Sequence, residues 1–202
     1  CVDDGSCITI VLGCNNEDAE NYNPMANSSS SFLGPDNLNL GTGGWHDNDA
    51  WDMVFNCYET VNIKTIDLIA QTPFSTNIEI LDNNQNLIYT NTISLNEGLN
   101  TIEIDYTIDP GTNYRIGVSG INDGLYRNDN IASGIFPINL GSVIDIIGNT
   151  TGSPQAYYYY FYNWQLEIPC EGISNINEVD KSRNLIYIYD IIARDVNQNN
   201  LI

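Results

Sequence analysis

The sequence predicts an all-β protein, built as an antiparallel, jelly-roll-like β-sandwich. Two observations predict this class: short stretches rich in β-branched and aromatic residues recur along the chain, and polar turn sequences separate them. A third is that no stretch before Cys170 has the length and period of a helix. The 202 residues suffice for one sandwich with small appendages.

The charge balance excludes whole classes of partner. Lys and Arg total 6 against 26 Asp and Glu, which gives a formal net charge of −20. Nucleic acid and anionic membrane surfaces are repelled by such a protein, so both are set aside. No apolar run approaches the length of a membrane span. An acidic, Asn-rich chain suits an extracellular protein that binds Ca²⁺ through oxygen ligands.

Residues 1–30 contain Cys1, Cys7 and Cys14 among Asp, Gly and Asn, with too few apolar residues for a core. Disulfides or bound ions must therefore hold this segment. His46 is the only histidine and no CxxC pair occurs, so zinc is disfavoured and disulfides in an oxidising compartment are favoured.

Cys57 and Cys170 flank the β-rich region. Cys57 ends one predicted strand and Cys170 follows another, so we expect these two to pair and to join the first strand to the last. The odd number of cysteines leaves one N-terminal thiol to seek a partner outside this sequence, and the pairing of Cys1, Cys7 and Cys14 stays open. With no initiator Met, the chain is expected to be a piece of a longer precursor.

Acidic residues near the N-terminus are candidate calcium ligands. Asp3, Asp4 and Asp18 could supply carboxylate oxygens, although the spacing is not that of an EF-hand. The alternative is that these side chains are solvated in linker turns.

Residues 28–44 are rich in Ser, Gly, Pro and Asn and are predicted to be a domain boundary. The following WHDNDAWD stretch is a compact acidic and aromatic loop, in which Asp47 and Asp49 are candidates for binding calcium or sugar hydroxyls. His46 could be a general base, but no nucleophile is spaced to work with it. The alternative is a turn whose Asp side chains accept backbone amides.

Strands follow one another at the spacing of a sandwich. Residues 99–108 alternate most cleanly, with Ile102 and Ile104 on one face and Thr101 and Glu103 on the other. The strands are predicted at residues 53–58, 61–70, 76–81, 86–95, 99–108, 113–118, 125–128, 140–147 and 155–170, the last being QAYYYYFYNWQLEIPC.

The chain is organised around this aromatic stretch, residues 155–170. Read as a single strand, its even positions form an unbroken apolar face that closes the core, while Tyr157, Tyr159 and Phe161 point the other way. Those outer rings either pack under a loop or a second sheet, or form a binding surface. The candidate ligand-binding set is Trp45, Asp47, Asp49, Trp51, Tyr126, Tyr157, Tyr159 and Phe161.

Three resemblances come from motifs. CVDDGSC followed by GCNNEDAENYNPMA resembles the Cys/Asp-rich linker repeats of secreted Bacteroidota proteins. NIEILDNNQNLIYT, DPGTNYRIG, LYRND and YYYYFYNWQLEIPC resemble an accessory β-sandwich module of the same secreted proteins, over roughly residues 45–170. That second resemblance implies a fold and no chemistry.

The third resemblance lies at the C-terminus. LIYIYDIIARDV resembles the C-terminal sorting domain read by the type IX secretion system, with Ala193 where that family has Gly. It implies a translocon and a sorting-domain receptor as partners, and an extracellular or outer-membrane cell-surface location after export. The residues that would carry the signal are Leu185, Tyr187, Tyr189, Asp190, Ile191 and Arg194.

These expectations give four segments: linker repeats at 1–30, the sandwich at 31–170, a linker at 171–180, and the start of a sorting domain at 181–202. No GxSxG, HExxH or Cys/His arrangement points to an enzyme. We therefore expect a non-catalytic surface module that binds carbohydrate or mediates adhesion with calcium. The alternative is a structural spacer of a larger exported adhesin or enzyme.

Overall fold

The computed structural model describes residues 10–35 and 40–172, and in these ranges the chain forms thirteen strands and no helix. Two antiparallel sheets of seven and six strands enclose one apolar core. The predicted all-β antiparallel sandwich is confirmed. Among the described residues, no helix has the length and apolar character needed to cross a membrane.

The seven-stranded sheet follows the order β1-β13-β4-β9-β12, with β7 also paired to β4 and β2 also paired to β9. Its strands are β1 (Ser30–Leu33), β2 (Thr42–His46), β4 (Val61–Ala70), β7 (Gly98–Ile108), β9 (Leu125–Asp129), β12 (Tyr157–Tyr159) and β13 (Tyr162–Glu167). β1 and β2 lie where the sequence predicted only a boundary, because their Ser- and Gly-rich residues lack an apolar alternation.

The six-stranded sheet follows the order β10-β11-β3-β8-β5-β6. Its strands are β3 (Met53–Cys57), β5 (Phe74–Leu81), β6 (Leu87–Leu95), β8 (Gly111–Ser119), β10 (Ile138–Leu140) and β11 (Ile144–Asn149). The turn between β5 and β6 is the predicted one: the Asp82 carboxylate accepts the Asn84 and Asn86 amides, each at 2.8 Å.

The aromatic stretch is two strands rather than one. Tyr160 has a φ of 66°, so the chain turns there, leaves its pairing with β9 and enters pairing with β4 and β1. The two-residue alternation breaks at this corner, and Tyr158 to Tyr162 are all buried. The prediction that Phe161 belongs to an outer face is therefore wrong, since its ring is fully buried.

Side chains within the corner satisfy its backbone. The Phe161 carbonyl accepts the Tyr158 hydroxyl and the Trp164 indole N–H, the latter at 3.0 Å. The Trp164 ring also meets Phe55 of the opposite sheet edge-on at 5.6 Å. Burial of a peptide carbonyl is tolerable here because two donors replace water.

The disulfide joins Cys14 to Cys170, across a sequence separation of 156. The predicted pairing of Cys57 with Cys170 is wrong: Cys57 is a buried thiol that donates to the Glu59 carbonyl at 3.0 Å. Cys57 ends a strand of the six-stranded sheet, whereas Cys170 follows β13 in the other sheet. β1 runs antiparallel to β13, which brings the segment before β1 beside the segment after β13. Burial raises the pKa of the Cys57 thiol to about 11.

The described part of the predicted linker packs on the sandwich. Leu12 belongs to the core, and the Asn21 side chain donates to the Pro169 carbonyl at 2.8 Å while accepting the Glu171 amide. The Glu20 amide donates to the Glu171 carbonyl. Asp3 and Asp4, Cys1 and Cys7, and the predicted sorting segment all lie outside the described residues.

Candidate functional site

β9 carries the centre of the candidate site, between β2 and β12. Arg127 of β9 stands opposite Gly44 on one side and opposite Tyr159 on the other. Its neighbour Tyr126 stands opposite Trp45. Successive side chains of a strand point to opposite faces, so the predicted aromatic set is divided between two faces.

On one face, Trp45 meets Tyr126 edge-on at 5.5 Å between ring centroids and remains 46% exposed. Glycine at position 43 is needed for this arrangement, because a Cβ there would overlap the Tyr126 hydroxyl. The pair places the exposed Trp45 ring against the half-buried Tyr126 ring at the outer strand of this part of the sheet.

On the other face is a surface groove of about 410 Å³, here named the Arg127 groove. The Arg127 guanidinium lies 4.6 Å from the centroid of Tyr157 and 5.1 Å from that of Tyr159, and it donates to the Tyr159 hydroxyl at 3.0 Å. Its Nε is paired with Asp129 at 2.6 Å. The lining residues are His46, Trp51, Arg127, Thr151, Gly152, Ser153, Tyr157 and Tyr159.

Two rings of the groove face solvent. Trp51 is 36% exposed and Tyr157 is half-buried, whereas Tyr159 is 1% exposed and has the guanidinium over its ring. A sugar ring could stack on Trp51 and contact the exposed part of Tyr157, whereas Tyr159 is too deeply buried for such contact. The guanidinium covers one face of both tyrosine rings. Of the aromatic residues predicted for ligand contact, the structure brings Trp51, Tyr157 and Tyr159 together in this groove, and the first two are accessible to a ligand.

His46 borders the groove from the end of β2. Its ring meets Tyr159 edge-on at 5.9 Å, and its Nδ1 lies 3.5 Å from the Tyr160 hydroxyl. Burial lowers the pKa of His46, and the neighbouring Arg127 charge lowers it further, against the opposing effects of Asp47 and Asp129. The imidazole is accordingly neutral at pH 7.

A second depression of about 500 Å³ lies on the other side of His46 and is polar. Its buried anchor is Asn122, whose side chain donates to the Asn48 carbonyl and accepts the Gly124 and Leu125 amides. The lining residues are Trp45, His46, Asp47, Gln71, Asn122, Asp123 and Gly124. Asp47 and Asp123 make it the acidic neighbour of the Arg127 groove.

The predicted calcium ligands do not converge within the described part of the chain. Asp49 accepts the Gly120 amide at 3.0 Å, Asp47 lines the acidic depression, and Asp18 is exposed in the N-terminal segment. No group of three or more His, Cys, Asp or Glu that could hold a metal occurs in residues 10–35 and 40–172. The amide that Asp49 accepts belongs to Gly120, 71 residues further along the chain, so this bond joins the acidic loop to the end of β8 rather than closing a local turn.

Sequence reasoning missed Arg127, Thr151 and Ser153. The loop at 151–153 looked like an ordinary turn, and the strand pairing that brings it beside Trp51 is not visible in the sequence. Arg127 did carry a signal, as one of 6 Lys and Arg in the whole chain and as a neighbour of Tyr126 in a predicted strand.

A further depression of about 400 Å³ lies beside the disulfide, lined by Cys14, Tyr22, Glu59, Thr60, Ile168 and neighbouring residues. Its walls are largely loop backbone and polar side chains, and it carries no cluster that suggests chemistry.

Comparisons with protein-family models, with curated proteins and with solved structures found no match for this chain.

Proposed function

We propose that this chain is a non-catalytic extracellular module that binds carbohydrate through the Arg127 groove. The observation that carries the proposal is the convergence of the exposed Trp51 ring, the half-buried Tyr157 ring and the polar groups of Thr151 and Ser153 in one surface groove. Apolar ring faces stack on pyranose rings, while hydroxyl and guanidinium groups hydrogen-bond to sugar hydroxyls.

A glycan-binding screen on the 202-residue chain tests this proposal. We expect at least one polysaccharide to bind, and Trp51→Ala to weaken that binding about tenfold or more, because the stacking ring is removed. Phe32→Ala is the matched control: Phe32 is 62% exposed but lies on β1, at the opposite end of the sheet order from β12. Absence of binding to any polysaccharide, or equal losses for both variants, would reject the proposal.

Calcium at Asp47 and Asp49 is the second part of the sequence prediction. The screen is therefore run in calcium and again in chelator. Loss of binding on chelation, reproduced by Asp47→Asn, would make calcium part of the site. Unchanged binding in chelator would remove calcium from the proposal and leave the groove as its basis.

We further propose that the protein is exported by the type IX secretion system to the cell surface. The support is the resemblance of the LIYIYDIIARDV segment to that system's sorting domain. The test is export of a reporter fused to residues 181–202 and to an Arg194→Ala version, in a host with and without the translocon. Translocon-independent export would refute it.

A structural spacer is the second candidate function. It is favoured by the Cys14–Cys170 bond, which fixes the two ends of the sandwich 5.1 Å apart between Cα atoms. A module closed in this way can serve as a rigid unit between other segments. The spacer replaces the binding module if the glycan screen is negative while the protein is folded and oxidised.

A further inference from the structure

The Arg127 groove has a cationic side chain in its wall, although the molecule is strongly acidic. The chain has 26 acidic residues and a net charge of −20, yet no Asp or Glu lines this groove. Lys64, Arg115 and Arg127 are the lysines and arginines of the described residues, and one of them forms the groove wall. A guanidinium in the groove wall favours an acidic sugar over a neutral one.

The Arg127 guanidinium has more N–H donors than its contacts within the protein use. A guanidinium has five N–H donors. The contacts of Arg127 engage its Nε with Asp129 and its Nη1 with the Tyr159 hydroxyl. The side chain is 14% exposed, and the rings of Tyr157 and Tyr159 hold its plane in place, so an oxyanion would meet a preorganised donor.

The neighbouring acidic depression differs from the Arg127 groove in the charge of its lining residues. Asp47 and Asp123 line that depression, on the other side of His46. An anionic group placed there would be repelled, whereas one placed beside Arg127 would be attracted. The net charge of −20 opposes the approach of any polyanion, but salt screens it beyond about 8 Å at physiological ionic strength, and contact with Arg127 is far shorter than that.

We infer that the Arg127 groove selects an acidic saccharide, with a carboxylate or sulfate of the sugar bonded to the Arg127 guanidinium and the sugar ring on Trp51. The inference rests on the proposed carbohydrate binding and adds the chemical class of the ligand. Asp129 balances the Arg127 charge in the free protein and keeps the guanidinium oriented.

The test compares a uronic-acid polymer with the same polymer after its carboxylates are reduced to alcohols, and with a sulfated polymer, using the 202-residue chain at 0.15 M salt (physiological ionic strength, with a Debye length of about 8 Å). We expect the uronate or the sulfated polymer to bind about tenfold or more tightly than the reduced polymer. The relative affinity of the two acidic polymers identifies which oxyanion the groove takes.

Variants assign the preference to Arg127. Arg127→Met is expected to weaken binding of the acidic polymer by a larger factor than binding of the reduced polymer, so that the preference for the acidic polymer is lost. Arg127→Lys keeps the positive charge but lacks the planar set of guanidinium donors, so it should retain part of the preference for the acidic polymer. Lys64→Met is the control. It also removes one positive charge, but Lys64 lies on β4, where it is paired with Asp105 and Glu167.

The outcomes separate this inference from the proposed function. If the reduced polymer binds as tightly as the acidic ones, the groove binds sugar without charge selection and the inference is overturned. If Arg127→Met weakens binding of the acidic and the reduced polymer by the same factor, Arg127 only stabilises the packing of β9 against β12, and the inference is likewise overturned. If none of the polymers binds and the glycan screen is negative, it is the carbohydrate function itself that fails.

Discussion

Two strand pairings of the sandwich differ in regularity, that of β5 with β8 and that of β13 with β4. In the six-stranded sheet, β5 pairs with β8 residue by residue from Asn77 opposite Ser119 to Leu81 opposite Arg115. In the seven-stranded sheet, the register between β13 and β4 shifts twice, and Tyr160 and Asn163 both have positive φ. The β5–β8 pairing runs without interruption through the core, whereas the corner at Tyr160 turns the chain between β12, which borders the Arg127 groove, and β13.

Specific side chains offset the free-energy cost of the irregular backbone at the corner around Tyr160. Left-handed backbone at a non-glycine residue costs about 1 kcal/mol or more, and a buried unsatisfied carbonyl costs about as much again. Trp164, Tyr158 and Asn163 supply the compensating bonds. Substitutions at the corner should therefore be more damaging than equally buried changes in the regular β5–β8 pairing.

The largest effect is expected from Trp164→Ala. The ring is fully buried, packs on Phe55 and donates to the Phe161 carbonyl. Its loss should lower the free energy of unfolding by about 3–5 kcal/mol, measured by urea denaturation. Ile78→Ala on β5, which is equally buried and lies in the regular β5–β8 pairing, is the comparison. A loss below about 1 kcal/mol for Trp164→Ala would contradict the role given to the corner.

Removal of the Cys14–Cys170 bond comes next. The double variant Cys14→Ser and Cys170→Ser should cost about 2–5 kcal/mol, because the loop that the disulfide closes is long and its unfolded state gains freedom. The single variant Cys57→Ser is the control, since that thiol has no disulfide partner. Equal melting temperatures for the double variant and the unaltered protein would show that the N-terminal segment is held by its other contacts alone.

A smaller effect is expected at Asn163. Asn tolerates the φ of 47° better than other residues with side chains, and its amide donates to Asp67 at 2.9 Å. Asn163→Ala should therefore cost about 1–2 kcal/mol. Thr92→Ala on β6, which loses a bond to Asn77 at an exposed regular position, should cost less. Chemical denaturation of the two variants decides the order.

The smallest effect is the pH dependence contributed by His46. Its folded-state pKa is lowered from the model-compound value of 6.5, chiefly by burial and then by Arg127. The unfolded state therefore binds the proton more readily, so the stabilising contribution is present above pH 6.5 and declines as the pH falls below it. The charged or titratable groups facing the ring are Arg127, Asp47, Asp129, Tyr159 and Tyr160.

The measurement is the change in unfolding free energy between neutral and mildly acidic pH, compared between the unaltered protein and His46→Gln. A smaller loss of stability on acidification is expected for the variant. The effect is small because much of the ring is in contact with solvent, which screens its interactions. An identical pH profile for both proteins would show that His46 does not contribute to it.

The sequence was most informative where alternation is regular. Residues 99–108 were predicted as a strand with Ile104 and Ile108 inward, and β7 has this pattern of burial. The Asp82 turn was likewise predictable, because a carboxylate that caps following amides is a local device. Both features depend only on residues that are close together in the sequence, so a single sequence is enough to predict them.

The site was less predictable because it depends on long-range pairing. Trp51 and Tyr157 were proposed as neighbours and share the groove, but Phe161 is buried because Tyr160 changes the strand direction. The Cys57 pairing failed for the same reason: it required knowledge of which sheet each strand joins. Only the registers of β2, β9 and β12 reveal that Arg127 is central.

The Cys14–Cys170 bond also determines how the molecule carries mechanical load. When Cys14 and Cys170 are pulled apart, tension passes through the disulfide between them, and the hydrogen bonds between the strands that it encloses bear none of it. The enclosed chain, a sequence separation of 156, could otherwise extend by on the order of 500 Å. In an oxidising medium the sandwich is therefore inextensible, and its groove keeps its shape while the chain on either side is under tension.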